Sequence, residues 1–105
     1  MWTVLLTDDS VAELEALPDE QQARFTRIRL LIEEHGLDHF RLPHARHIEG
    51  PLWEIRLRGQ DGIARALYVV RTGQRLIVVR VFIKKTEKTP RREIELALKR
   101  AKDTI

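Results

Sequence analysis

Three consecutive runs constrain this chain more than any other feature. "LWEIRLR" (52–58), "IARALYVVR" (63–71) and "RLIVVRVFIK" (75–84) are each rich in β-branched and aromatic residues. The first alternates cleanly, with Trp53, Ile55 and Leu57 on one side and Glu54, Arg56 and Arg58 on the other. "DG" at 61–62 and Thr72-Gly73-Gln74 supply the turns between them. Strands this closely spaced pair as an antiparallel meander.

The flanking segments read as helices around that meander. "WTVLLT" (2–7) is a short first strand, and "DDSVAELEAL" a first helix with Ser10 and Glu13 at capping-box spacing. Pro18 fits the first turn of a second helix, where Phe25, Ile28, Leu31 and Ile32 form an apolar stripe that Gly36 closes. "LDHFRLPHARHIEGP" (37–51) is irregular and is expected to be a loop with one short element. Thr89 can cap a last helix beginning at Pro90, with Ile94, Ala97, Leu98, Ala101 and Ile105 buried. The expected architecture is α+β, in the order β-α-α-β-β-β-α: a small antiparallel sheet with helices packed on one face. With 105 residues, 1–105 is expected to be a single domain.

Period-2 geometry divides the last strand into two rows. Ile77, Val79, Val81 and Ile83 form an apolar row expected on the core. Arg80, Phe82 and Lys84 form the other row, which joins Arg56 and Arg58 on the second face of the sheet. Cations beside an aromatic ring suit single-stranded RNA, whose phosphates meet the charges and whose bases stack. The plainer reading is a solvated sheet face. Arg65 falls with Leu67 and Val69, opposite Ala64, Ala66 and Tyr68, and either reaches the rim or joins a polar network.

Charge supports a polyanionic partner. Residues 1–50 hold 5 Lys/Arg and 10 Asp/Glu (−5), residues 51–105 hold 14 and 6 (+8), and the total is +3. The chain has no cysteine, which removes disulfides and thiolate metal sites and makes a reducing cytoplasm the default. No apolar run nears the roughly 20 residues of a membrane span. His35, His39, His44 and His47 cluster in sequence, and His44-x-x-His47 would make a metal pair if helical. No carboxylate or cysteine completes that set, so surface or RNA-facing histidines are preferred. Glu54 is expected to be a cross-strand partner for an arginine.

Beyond these physical readings, "LWEIRLRGQDGIARALYVV" and "LIVVRVFIKKTEKTPRREIELALKRAKD" resemble the phage-derived HigB-like branch of the RelE/ParE toxin superfamily. The long ordered pattern F-x-K-K-T-x-K-T-P-x-x-E-I-x-x-A is the most specific part. The resemblance implies a RelE-like fold and a toxin of a type II toxin–antitoxin system. Many such toxins are ribosome-dependent, metal-independent mRNA endoribonucleases without cofactors, held inactive by a small helix-turn-helix antitoxin. It also implies catalytic roles for Arg56, Arg65, Lys84 and Lys85, with Arg58, Arg80, Phe82, Lys88, Arg91 and Arg92 contacting RNA. The better-studied relatives often carry a tyrosine or histidine near the last helix. Here Arg91 or Arg92 falls nearby, and the sole tyrosine, Tyr68, lies mid-strand. The resemblance therefore leaves base and acid unassigned, and a gyrase-directed toxin or a non-catalytic RNA-binding phage remnant are the alternatives.

Overall fold

The computed structural model describes residues 1–37, 45–60, 62–84 and 88–104. Expectations placed on Lys85, His39, His44, Asp61 and Ile105 lie outside the described residues. The elements run β1 (Thr3–Leu6), α1 (Asp8–Glu15), α2 (Asp19–His35), β2 (Ala45–Glu49), β3 (Leu52–Gly59), β4 (Gly62–Arg71), β5 (Arg75–Lys84) and α3 (Arg91–Lys102). The sheet order is β1-β5-β4-β3-β2.

The α+β class and the β3-β4-β5 meander are as expected, and two strand features are additional. β2 joins antiparallel to β3 as a fourth meander strand. Its sequence, "ARHIE", is half exposed and lacks apolar alternation, so pattern reading had no purchase on it. β1 pairs parallel with β5, which makes the sheet mixed. The chain joining them, α1 through β4, is long enough for the crossover that a parallel partner needs, with the two helices carrying it to the far edge of the sheet at β2. The outer edge of β1 is closed by α2: the Val4 N–H donates to Glu33 Oε2 at 3.1 Å, and Arg29 Nη2 donates to the Val4 carbonyl at 2.9 Å. An edge so closed cannot template further strands.

Helices cover both faces of the sheet, contrary to the one-sided expectation. α1 and α2 bury Ile55, Leu57, Ala64, Ala66, Tyr68, Leu76, Val78 and Val81 with Phe25, Ile28 and Ile32. α3 buries Leu52, Leu67, Val69, Ile77, Val79 and Phe82 with Ala97 and Ala101. The physical reason lies in β4 and β5, which are apolar on both sides over part of their length. Such strands require cover on each face.

A bulge in β5 corrects the expected rows. Leu67 pairs with Arg80 but Tyr68 with Val78, so Val79 is the extra residue. Ile77 and Val79 face α3, and after the bulge Val81 turns to the α1/α2 core. Ile83 is exposed. Arg80, Phe82 and Lys84 still share one face, and it is the face that carries α3.

Helix starts are displaced by one or more residues from their expected places. Thr7 caps α1 by accepting from the Ser10 N–H at 3.2 Å, while the buried Ser10 hydroxyl donates to the Val78 carbonyl at 2.8 Å. Glu13 instead takes the Val81 N–H at 3.0 Å and the guanidinium groups of Arg80 and Arg100. Pro18 and Pro90 sit one position before α2 and α3. At the β3–β4 turn the buried Gln21 amide donates to the Leu57 and Gly62 carbonyls at 3.3 and 3.1 Å. A Cβ on Gly59 would lie 3.0 Å from Gln21 Cγ, so this close approach suits glycine.

Candidate functional site

The face of the sheet that carries α3 is apolar near Leu52, Leu67, Val69, Ile77 and Val79 and charged beyond them. Three alternate rungs, successive on one face, place the charges. Arg46, Glu54, Leu67 and Arg80 align across β2, β3, β4 and β5. Arg56, Arg65 and Phe82 form the next rung, and Arg58, Ile63 and Lys84 the third. Alternation puts all these side chains on one side.

Glu54 is the centre of the cluster and is fully buried. Its Oε2 accepts from Arg65 Nη1 at 2.8 Å, and Arg56 Nε lies 3.7 Å from the same oxygen. Its Oε1 accepts from the Thr89 hydroxyl at 2.7 Å. Arg65 is only 2 % exposed and Lys84 only 7 %. Lys84 Nζ has no hydrogen-bond partner among the described residues. Burial holds the Lys84 pKa below the ordinary lysine value, and Arg65, Arg46 and Arg56 push it the same way against Glu54. One carboxylate thus stands among four cations. A buried ammonium without a partner is costly, and such surplus charge is characteristic of sites that receive an anion.

Of the ten residues expected at the site, the structure brings Arg56, Arg65 and Lys84 together around Glu54. Arg58 borders them, exposed, at the end of β3, and Lys88 and Arg92 are exposed near α3. Arg80 is engaged elsewhere: it pairs with Glu93 at 2.8 Å and Glu13 at 2.5 Å, which raises its pKa, and lies 5.5 Å over the Phe82 ring. Phe82 is buried against α3, so its ring is not an open platform for a base. Arg91 is held by Glu49 in a two-pronged pair at 2.5 and 2.9 Å. Lys85 lies outside the described residues.

Sequence reasoning expected Glu54 to partner an arginine, and it does. Arg46 went unnoticed because β2 lacks a strand pattern. Thr89 was expected to cap α3, but its hydroxyl goes to Glu54, and α3 starts without a side-chain cap. Tyr68 is buried in the α1/α2 core on the opposite face, and burial pushes its pKa up to about 12. Its phenol is therefore not part of the cluster. His47 is exposed on that same opposite face, edge-on to Trp53 at 5.2 Å, and Nε2 lies 2.8 Å from the Gly50 carbonyl. His35 is exposed beside Glu34 at 3.6 Å. Among the described residues no three His, Asp or Glu side chains converge as a metal site.

Residues 12–102 match the family described as Phage derived protein Gp49-like (DUF891). The chain belongs to this family. Similar solved structures carry the same fold. The isolated Escherichia coli RelE toxin superposes with a TM-score of 0.60 at 13% identity, covering 96% of this chain and 99% of that one. The RelBE toxin–antitoxin complex of E. coli matches at 0.59 and 14%, over 82% and 100%. The RelE–RelB complex of Pyrococcus horikoshii OT3 matches at 0.57 and 21%, over 78% and 93%. A search of curated proteins returned no match. Among the described residues no helix of this Gp49-like chain is long and apolar enough to cross a membrane.

Proposed function

We propose that this Gp49-like chain is the toxin of a type II toxin–antitoxin pair and acts as a metal-independent endoribonuclease on mRNA at the ribosome. The observation that carries the reading is the buried, cation-rich cluster of Arg56, Arg65 and Lys84 around Glu54, with the Lys84 ammonium lacking a partner among the described residues. A phosphate diester supplies the missing negative charge. In the proposed reaction a ribose 2′-OH attacks the adjacent phosphorus, its proton leaves, and the P–O5′ bond breaks to a 2′,3′-cyclic phosphate and a 5′-OH. Arg65 and Arg56 would stabilise the charge that builds on the phosphoryl oxygens. Lys84, with its pKa lowered towards the working range, would exchange a proton more readily than an ordinary lysine. Lys85 belongs to the same proposal by its place in the sequence. RelE occurs with RelB in two of the similar structures, which supports an antitoxin partner here, and a small helix-turn-helix protein is the form we propose.

A second reading, a non-catalytic RNA binder, is favoured by one observation: no tyrosine or histidine joins the cluster among the described residues. One experiment separates the two. Primer extension on a translated mRNA, with and without the purified protein, should show new 5′ ends within codons. Arg65→Ala or Lys84→Ala should lower cleavage by about a hundredfold or more. Intact message beside normal RNA affinity would favour the binder. Untouched translation with failing DNA supercoiling would favour a gyrase-directed toxin.

A further inference from the structure

Glu54 is the group at the site that most invites the role of general base, and its surroundings argue against that role. The side chain has no exposed surface from which to meet a ribose hydroxyl. Both oxygens are already engaged, Oε2 by Arg65 at 2.8 Å and Oε1 by Thr89 at 2.7 Å. A guanidinium is charged at every working pH, so its partner oxygen is held as an acceptor of that bond.

The Thr89 bond is the more telling of the two. Thr89 directly precedes Pro90, the residue at the N-cap of α3, and no side chain caps that helix start. Threonine beside a helix start ordinarily accepts from a free backbone N–H. Here the hydroxyl donates across the structure to a strand carboxylate 35 positions away. The helix start and the buried arginine are thereby joined through one side chain.

We infer that Glu54 is a positioning residue, not a proton acceptor: it fixes Arg65 for a bound phosphate and, through Thr89, ties the entry of α3 to that arginine. The inference rests on the reading of the cluster as a phosphate site. Lys84 ends β5 and Thr89 lies two residues before α3, so the two residues flank one connection. The Glu54 carboxylate holds the second flank directly. It also meets the first electrostatically, since its charge favours the ammonium form of Lys84 while Arg65 opposes it.

The test uses the full chain and a 2′-O-methylated RNA oligonucleotide held as message on ribosomes; the oligonucleotide lacks the attacking hydroxyl and so reports binding alone. Thr89→Val keeps the shape and removes the donor, whereas Thr89→Ser keeps the donor. Thr89→Val should stay folded and bind the oligonucleotide about tenfold more weakly, the loss expected for one hydrogen bond to a charged group. Its Arg65 Nε–H signal in NMR spectra should broaden as the guanidinium loosens, and Thr89→Ser should restore both readouts. In cleavage assays Thr89→Val should lower the rate with the pH profile unchanged. Glu54→Gln should lower the rate and keep both limbs of the profile, the Lys84 limb moving to lower pH because a charge that favours its ammonium form is gone. Wild-type affinity and an unchanged Arg65 signal in Thr89→Val would overturn the inference. So would a Glu54→Gln variant of undiminished affinity that loses the acid limb of the pH profile, because that marks Glu54 as the base. Wild-type protein that binds the oligonucleotide yet cleaves no RNA would sink the nuclease reading alone, since affinity and the Arg65 signal still decide the positioning role. Wild-type protein that does not bind the oligonucleotide would overturn both.

Discussion

Lys84 places an ammonium group where the folded chain supplies no hydrogen bond to it among the described residues. The same burial that suits it to an anion makes it a burden on stability. Lys84→Met keeps the length and removes the charge, so it should stabilise the protein by about 1–3 kcal/mol at neutral pH while weakening RNA binding. Thermal denaturation and oligonucleotide titration read the two effects. The sign with pH follows from the depressed pKa. Between that lowered value and the ordinary 10.5, the unfolded lysine holds its proton and the folded one has lost it. The unfolded state then binds more protons, so the Lys84 contribution to stability improves as pH rises through that window. The stability gap between Lys84→Met and wild type should narrow there, and a constant gap would contradict the burial argument. At this scale the sequence offered the residue type of Arg56, Arg65 and Lys84 and the shared sheet face of Arg56 and Lys84, and left the side taken by Arg65 open. It offered neither the depth of their burial nor Glu54 as their shared partner, because burial depends on elements distant in the chain.

Between elements, the joint that matters is Glu13 of α1. Its carboxylate accepts from the Val81 N–H beside the β5 bulge, from Arg80 in the bulge and from Arg100 of α3. Arg100 also donates to the Val79 carbonyl at 2.9 Å. One short helix, a distorted strand and the last helix are thus joined at a part-buried carboxylate. Glu13→Ala should destabilise by about 2 kcal/mol, because it leaves a strand N–H and two guanidinium groups without their acceptor. Arg100→Ala should cost about as much. The double variant should cost less than the sum, and a double-mutant cycle by chemical denaturation measures the difference. Strict additivity would show that the three elements are not coupled through Glu13. Sequence spacing marked Glu13 as a capping-box partner of Ser10, a local reading. The bulge that delivers Val81 and Arg80 to it arises from pairing with β4 and has no local signature in "RLIVVRVFIK".

Across the whole molecule, charge is divided along the chain, −5 over residues 1–50 and +8 over residues 51–105. The fold gathers part of the positive half into one cluster on the α3 face. Affinity for single-stranded RNA should therefore fall linearly on a log–log plot against salt, by about 0.7 per phosphate neutralised. Arg65→Ala should flatten that slope by about one phosphate's worth, whereas Arg80→Ala, whose charge is already paired with Glu93 and Glu13, should leave it nearly unchanged. Equal slopes for wild type and Arg65→Ala would remove Arg65 from the phosphate site. By itself the sequence determined the α+β class, the three-strand meander, the apolar stripe of α2 at Phe25, Ile28 and Ile32 though not at Leu31, which is exposed, and the shared face of Arg80, Phe82 and Lys84, all of which follow from local periodicity and turn chemistry. Tertiary structure alone decided that β2 and β1 complete a mixed sheet and that α3 covers the second face. It also decided that a bulge re-aims the end of β5, and that Glu54 and Thr89 bind the site together. These depend on pairing and packing between segments far apart in the chain, and strands apolar on both sides leave no periodic trace of which neighbour will cover them.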